Sequence, residues 1–118
     1  MKTVFVCSPY RGDTENNLKL ARRVCRKAVE EGYAVICPHL LYPQFLSDDD
    51  ENEREQGIRA GLCSLEKADE LWVVGGTITE GMSREIARAS ELGIPNKCVC
   101  DPLVAEEHLL NDILKTEE

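Results

Sequence analysis

The sequence lacks any long run of apolar residues, which excludes a transmembrane helix. Its first residues, MKTVF, have the character of a β-strand and lack the apolar core and small-residue cleavage site of a signal peptide. We therefore expect a cytoplasmic protein with no membrane partner. Repeats and low-complexity linkers are also absent, and a length of 118 residues predicts one domain over residues 1–118.

Basic residues are fewer than acidic ones: the chain has 14 Lys and Arg and 22 Asp and Glu, which gives a formal net charge of −8. The segment 48–55 (DDDENERE) holds six acids and one arginine, so most of this charge is local. Nucleic-acid binders present basic surfaces, so we expect no nucleic-acid partner. A basic run falls on the outer, solvated side of a predicted helix: Arg22, Arg23, Arg26 and Lys27.

Metal and cofactor motifs are missing as well. The six cysteines include no CxxC pair and fall in apolar strands or helices, where cysteine acts as a small hydrophobic residue. Neither a Walker loop nor a GxGxxG motif occurs. We expect no disulfides, no metal and no cofactor.

Short apolar runs alternate with amphipathic segments along the chain. The predicted strands are 3–8, 34–37, 70–74 and 97–100, and the predicted helices are 13–32, 51–67, 81–92 and 102–115, with a long loop at 38–50. Buried strands that alternate with helices predict an α/β fold, a three-layer Rossmann-like or flavodoxin-like parallel sheet of strand order 2-1-3-4. Such sheets bind ligands beyond the carboxyl ends of the strands, where the winding reverses. Here that point lies between strands 1 and 3.

The loop after strand 1 offers a hydroxyl, a phenol and a guanidinium before a helix begins, at Ser8, Tyr10, Arg11 and Gly12. Backbone N–H groups and the guanidinium favour a phosphate or carboxylate ligand there, although a plain turn fits the same residues. Asn17 continues the inward face of the first helix, where it either binds ligand hydroxyls or ties the loop.

The loop after strand 3 contains Gly75, Gly76 and Gly81, and glycine permits close approach of the backbone to a ligand. A turn that needs glycine only for its conformation is the alternative. On the following helix, Glu85 falls within the apolar stripe that faces the core. An inward carboxylate is costly unless it is paired or functional, so Glu85 is a candidate catalytic residue.

Three other features have open interpretations. Gly57-x-x-x-Gly61 predicts close helix packing, within the chain or across a dimer interface. The acidic segment 48–55 is interpreted as a solvated helix start, and the alternatives are that it flanks the crevice or binds a divalent cation. His39 is a weak candidate for a polar contact near the site, and His108 a weaker one.

Three stretches together carry a family resemblance: VFVCSPYRG followed by Asn, GYAVICPH, and ADELWVVGGTITEGMSREIARASELGIP. The chain resembles the nucleoside 2-deoxyribosyltransferase superfamily over residues 3–100, and most closely its short, largely uncharacterised bacterial and phage members. This resemblance implies that Glu85 is the nucleophile at the anomeric carbon of the sugar and that Tyr10 assists it. In members that act on 5′-phosphates, Ser8, Arg11, Gly12 and Ser83 would hold the phosphate. It also implies a small-molecule nucleoside or nucleotide partner and a homo-oligomer.

The chain departs from the family pattern at one position. The aspartate that handles the proton of the leaving base corresponds to Gly61, so Glu55 or one of Asp48 to Asp50 would have to substitute. The expected function is therefore cleavage or transfer of an N-glycosidic bond through a glutamate nucleophile. The alternatives are a non-catalytic nucleotide-binding or sensing module on the same fold, and an interaction protein.

Overall fold

The computed structural model of the protein describes residues 1–103. Almost all of the predicted helix 102–115, with His108, lies outside these residues. The elements in chain order are β1 (Thr3–Cys7), α1 (Thr14–Glu30), β2 (Ala34–Ile36), α2 (Pro38–Leu41), a 3-10 turn (Tyr42–Gln44), α3 (Glu51–Leu65), β3 (Glu70–Val74), α4 (Glu80–Leu92) and β4 (Asn96–Val99). Within the described part, no helix combines the length and apolar character needed to cross a bilayer.

The four strands form one parallel sheet in the order β2-β1-β3-β4, which confirms the predicted fold class and strand order. In the centre, Phe5 pairs with Leu71 and Cys7 with Val73. The strands β1 and β3 therefore end side by side, and the loops that follow them leave the same edge of the sheet.

Alternate side chains of β1 enter two separate cores. Val4 and Val6 pack with α1 on one face of the sheet, together with Trp72 and Val74 of β3. Phe5 and Cys7 face the opposite way and pack against α3 and α4, where Leu65, Met82 and Ala89 are fully buried. Because residues of a strand alternate between faces, a central strand covered on both sides is apolar throughout.

The edge strands differ from the prediction of four buried strands. All of β2 is half-buried, and Asn96, Lys97 and Cys98 of β4 are exposed. An edge strand has a neighbour on one side only, so its side chains are less covered. Cys98 and Cys100 are therefore surface thiols, whereas Cys7 and Cys25 are core residues as expected.

The segment after β2 is folded rather than a long loop. Pro38 occupies the start of α2, a position that suits its fixed φ and missing N–H. A Cβ atom placed at Gly61 would lie 3.2 Å from Cγ of Pro38, and one at Gly57 would lie 3.6 Å from Leu46. The two glycines of α3 thus allow the segment 38–46 to pack closely against this helix. Packing within one chain therefore explains their spacing.

We predict that the two glycines of α3 respond differently to alanine. Alanine is favoured over glycine in a helix by about 1 kcal/mol, and the space at Gly57 accepts a methyl group at ordinary contact distance. Gly57→Ala should therefore raise the free energy of unfolding. At Gly61 the methyl group would press on the buried Pro38, so Gly61→Ala should lose this gain and unfold at a lower denaturant concentration than Gly57→Ala. Equal stabilisation of the two variants would contradict the tight packing.

Candidate functional site

A cavity of about 290 Å³ opens at the carboxyl edge of the sheet. Its walls are the loop after β1, the segment 38–48, the inner side of α3 and the first turns of α4. The residues that line it are Tyr10, Arg11, Pro38, His39, Tyr42, Pro43, Leu46, Ser47, Asp48, Glu53, Arg54, Gly57, Ile58, Gly61, Thr79, Glu80, Gly81 and Glu85. The cavity lies at the winding reversal between β1 and β3, where α/β sheets bind ligands.

Glu85 is the buried acid of this cavity. Thr79 caps α4 by accepting a hydrogen bond from the N–H of Met82 at 3.2 Å, which fixes the start of the helix. One turn further, Glu85 points to the same side as the fully buried Met82 and Ala89 and is itself only 7% exposed. Among residues 1–103, its Oε1 atom has no hydrogen-bond partner.

Burial raises the pKa of Glu85 from its usual 4.5 to about 8. Removal from water disfavours the charged form, and the nearby Cys37 acts in the same direction, while the Cys7 thiol partly offsets the rise. Burial first, and then the charge of Glu85, also raise the pKa of Cys7. Glu85 is therefore mostly protonated at neutral pH and becomes an available carboxylate in mildly alkaline solution.

Tyr10 and His39 form an aromatic wall of the cavity. Their rings stack with centroids 5.2 Å apart and planes inclined by 27°. Asn17 holds this loop, because its amide donates to the carbonyl oxygens of Tyr10 at 3.1 Å and Arg11 at 3.3 Å. Of the two roles considered for Asn17, its contacts are those of the loop tie.

Burial favours the uncharged form of both rings at neutral pH. Burial lowers the pKa of His39, although contact with the Ser8 backbone and the charge of Asp48 oppose this. Burial and the charges of Asp48 and Asp49 raise the pKa of Tyr10. In the described part of the chain, Nδ1 of His39 is buried without a hydrogen-bond partner.

Arg11 reaches the cavity but is not free. Its Nε donates to Oδ2 of Asp48 at 2.7 Å, and its Nη2 donates to the Asp48 carbonyl oxygen at 3.0 Å. Arg54 approaches the other carboxylate oxygen, with its Nε 3.7 Å from Oδ1. Asp48 therefore sits between two guanidinium groups that line the cavity.

Only some of the other residues predicted for the site line the cavity. Gly81 lines the cavity with Tyr10, Arg11 and Glu85, whereas six residues do not: Ser8, Gly12, Asn17, Gly75, Gly76 and Ser83. Ser8 lies completely buried beneath the site, and its Oγ has no partner among the described residues. Gly75 has a φ of +93° and packs near Pro9, so the turn conformation accounts for it.

Sequence reasoning missed most of the wall formed by the segment 38–48, including Tyr42, Leu46 and Ser47. It treated this segment as a loop, and a loop gives no side-chain directions. The sequence signal for this wall was the glycine pair of α3. Glycine is unfavourable inside a helix, so two of them on one face indicate that another segment packs closely there. The neighbour proved to be this segment.

The acids considered as substitutes for the missing aspartate lie in different surroundings. Glu55 accepts two hydrogen bonds from Arg84, at 3.0 and 3.1 Å, and does not line the cavity. Asp50 caps α3 by accepting from the N–H groups of Asn52 and Glu53. Asp48 lines the cavity within its ion pair with Arg11. At Gly61 itself, an added Cβ atom would lie only 3.2 Å from Pro38, so a side chain there would require Pro38 to shift.

We predict that Glu85 makes stability fall as pH rises. The native protein keeps a proton that the unfolded chain releases, because the pKa of Glu85 is raised from 4.5 to about 8. The free energy of unfolding therefore declines through this window. In Glu85→Gln this decline is removed, so the variant should match the wild type near pH 4.5 and exceed it by a few kcal/mol near pH 8.

Urea unfolding across this pH range measures the difference. Glu91→Gln, an exposed position on the same helix, is the matched control and should follow the wild type at every pH. A difference between Glu85→Gln and wild type that is constant with pH would contradict the raised pKa.

Comparisons with known proteins agree with this fold. The computed structure is similar to that of a 2-deoxyribosyltransferase from the psychrotolerant bacterium Bacillus psychrosaccharolyticus, characterised as a biocatalyst for the synthesis of antiviral and antitumoral nucleosides. The TM-score is 0.68 and the sequence identity 17%, over 83% of this chain and 72% of that one. At this identity the likeness establishes a related fold.

No curated protein matches the chain. Residues 2–99 match the family model described as a domain of unknown function, DUF7768. That match covers both edges of the sheet and every wall of the cavity. The chain therefore belongs to the DUF7768 family.

Proposed function

We propose that this protein cleaves or transfers the N-glycosidic bond of a nucleoside or nucleotide, with Glu85 as the nucleophile. The observation that carries this proposal is a buried carboxyl group, with a hydrogen-bonding atom left unpartnered by the described residues, in a cavity at the ligand-binding edge of the sheet. The fold shared with a deoxyribosyltransferase supports it. The sequence resemblance to that superfamily, which puts its nucleophile at the position of Glu85, supports it further.

The proposed chemistry uses two displacements at C1′ of the sugar. The Glu85 carboxylate forms a C1′–O bond as the C1′–N bond breaks, through an oxocarbenium-like transition state. The base leaves with the electron pair of that bond and takes up a proton. Water or a second base then attacks C1′ and loses a proton to solvent as the bond between C1′ and the Glu85 oxygen breaks, which releases the free sugar or a new nucleoside and restores the carboxylate.

Tyr10 is the proposed assistant of the nucleophile. It is held at the cavity by Asn17 and by its stack on His39. Its raised pKa keeps the phenol protonated, so it can donate a hydrogen bond to a substrate oxygen or to the carboxylate. The proton for the leaving base comes from solvent or from a cavity residue, since no side chain occupies the position of Gly61.

We predict that the release of free base depends on Glu85 and on alkaline pH. With 2′-deoxynucleosides and their 5′-monophosphates as a substrate panel, Glu85→Gln should lower the rate by about a thousandfold or more, as loss of a nucleophile does. Because the ionised carboxylate attacks, kcat/KM should rise about tenfold per pH unit below the pKa of about 8 and level off above it.

Chromatographic detection of the free base measures both effects. Glu91→Gln should keep the wild-type rate and pH profile. Base release that is unchanged in Glu85→Gln would rule out this glutamate as the nucleophile.

A non-catalytic nucleotide-binding or sensing module is the second candidate. The observation that favours it is that Gly61 stands where the deoxyribosyltransferase pattern has its proton-handling acid, and that Pro38 packs closely against this glycine. In that case the same ligands would raise the melting temperature of the protein, and no base would be released at any pH.

A further inference from the structure

Two arginines at the cavity already hold an anion that belongs to the chain. Asp48 accepts a hydrogen bond from Arg11 at 2.7 Å through one carboxylate oxygen, and its other oxygen lies 3.7 Å from Arg54. The backbone carbonyl oxygen of Asp48 also accepts a hydrogen bond from Nη2 of Arg11. All three residues line the cavity.

This pairing occupies the groups that a phosphate would use. An arginine binds phosphate best through two parallel N–H donors, and in Arg11 the Nε and Nη2 donors are directed to Asp48. A phosphate that displaced the carboxylate would leave Asp48 unpaired beside a second negative charge. Like charges brought together at a binding site disfavour the wrong ligand.

The remaining charges of the cavity also disfavour a phosphate. Its lining holds two arginines against three acids other than the protonated Glu85: Asp48, Glu53 and Glu80. The lining is therefore slightly negative before any ligand enters. A phosphate monoester would add about 1.5 to 2 negative charges at neutral pH.

We propose that Asp48 is a specificity-determining residue, which neutralises Arg11 and Arg54 so that the cavity accepts an uncharged nucleoside and rejects its 5′-phosphate. This inference rests on the proposed function, since it assumes a ligand of the nucleoside class. It reverses the expectation that Arg11 binds phosphate. It also differs from a purely structural tether between the loop after β1 and the start of α3, because loss of a tether would weaken both kinds of ligand equally.

We predict a change of ligand preference in Asp48→Asn, which keeps the shape of the side chain and removes its charge. By calorimetry at pH 7, a wild-type protein should bind a 2′-deoxynucleoside about tenfold more tightly than the 5′-monophosphate of the same base. Asp48→Asn should reduce this ratio about tenfold or more, chiefly by tighter binding of the monophosphate, and Asp48→Glu should restore it.

Asp49→Asn is the matched control, because it removes the same charge from an exposed neighbour that does not line the cavity. Asp49 acts on Arg11 by its charge without a hydrogen bond, so the ratio in Asp49→Asn should fall much less than in Asp48→Asn. Equal or tighter binding of the monophosphate by the wild type would overturn the inference, and that measurement decides the matter even if Asp48→Asn does not fold. Equal weakening of both ligands in a folded Asp48→Asn would overturn it too.

The two proposals fail in different ways. If neither ligand class binds the wild type or any variant, the proposed function fails and this inference falls with it. If base release depends on Glu85 but the ratio is the same with and without Asp48, the proposed function stands and the role of Asp48 is rejected.

Discussion

The removal of one carboxyl group from water is the constraint around which this protein is arranged. Glu85 lies on the buried side of α4, in line with Met82 and Ala89, and the described residues leave one of its oxygen atoms without a hydrogen bond. A buried polar atom of this kind costs stability. A helix that satisfied only its packing would carry an apolar residue there, which is why Glu85 is the residue on which the proposed function rests.

The contact between Pro38 and Gly61 shapes the space in front of that carboxyl group. It brings the short helix α2 and the following turn onto α3, which closes one side of the cavity. The same contact would crowd a side chain at Gly61, the position that corresponds to an acid in the deoxyribosyltransferase pattern. Under the proposed function, this arrangement keeps the position of the nucleophile and changes the surroundings of the leaving group, a combination that suits either a modified enzyme or a binding module.

The sheet and the burial of Glu85 were predictable, because both depend on periodic patterns. Apolar strands with alternating faces give β1 and β3, and a spacing of 3.6 residues directs Glu85 inward. The edge strands were placed correctly but their burial was not, because burial depends on neighbours that a strand pattern does not specify. Arg11 and Asp48 are 37 positions apart, and the wall at 38–48 is placed by contacts with α3 such as that of Pro38 with Gly61. No local pattern encodes such contacts.

The ion pairs between α3 and α4 have a consequence for how the cavity can vary. Arg84 donates two hydrogen bonds to Glu55, and Arg88, one turn further along α4, donates one to Glu66. These cross-links join the two helical walls into one frame that carries Glu85. The segment 38–48 takes no part in these α3–α4 ion pairs, so its cavity-facing side chains can differ without loss of the pairs that hold the position of Glu85.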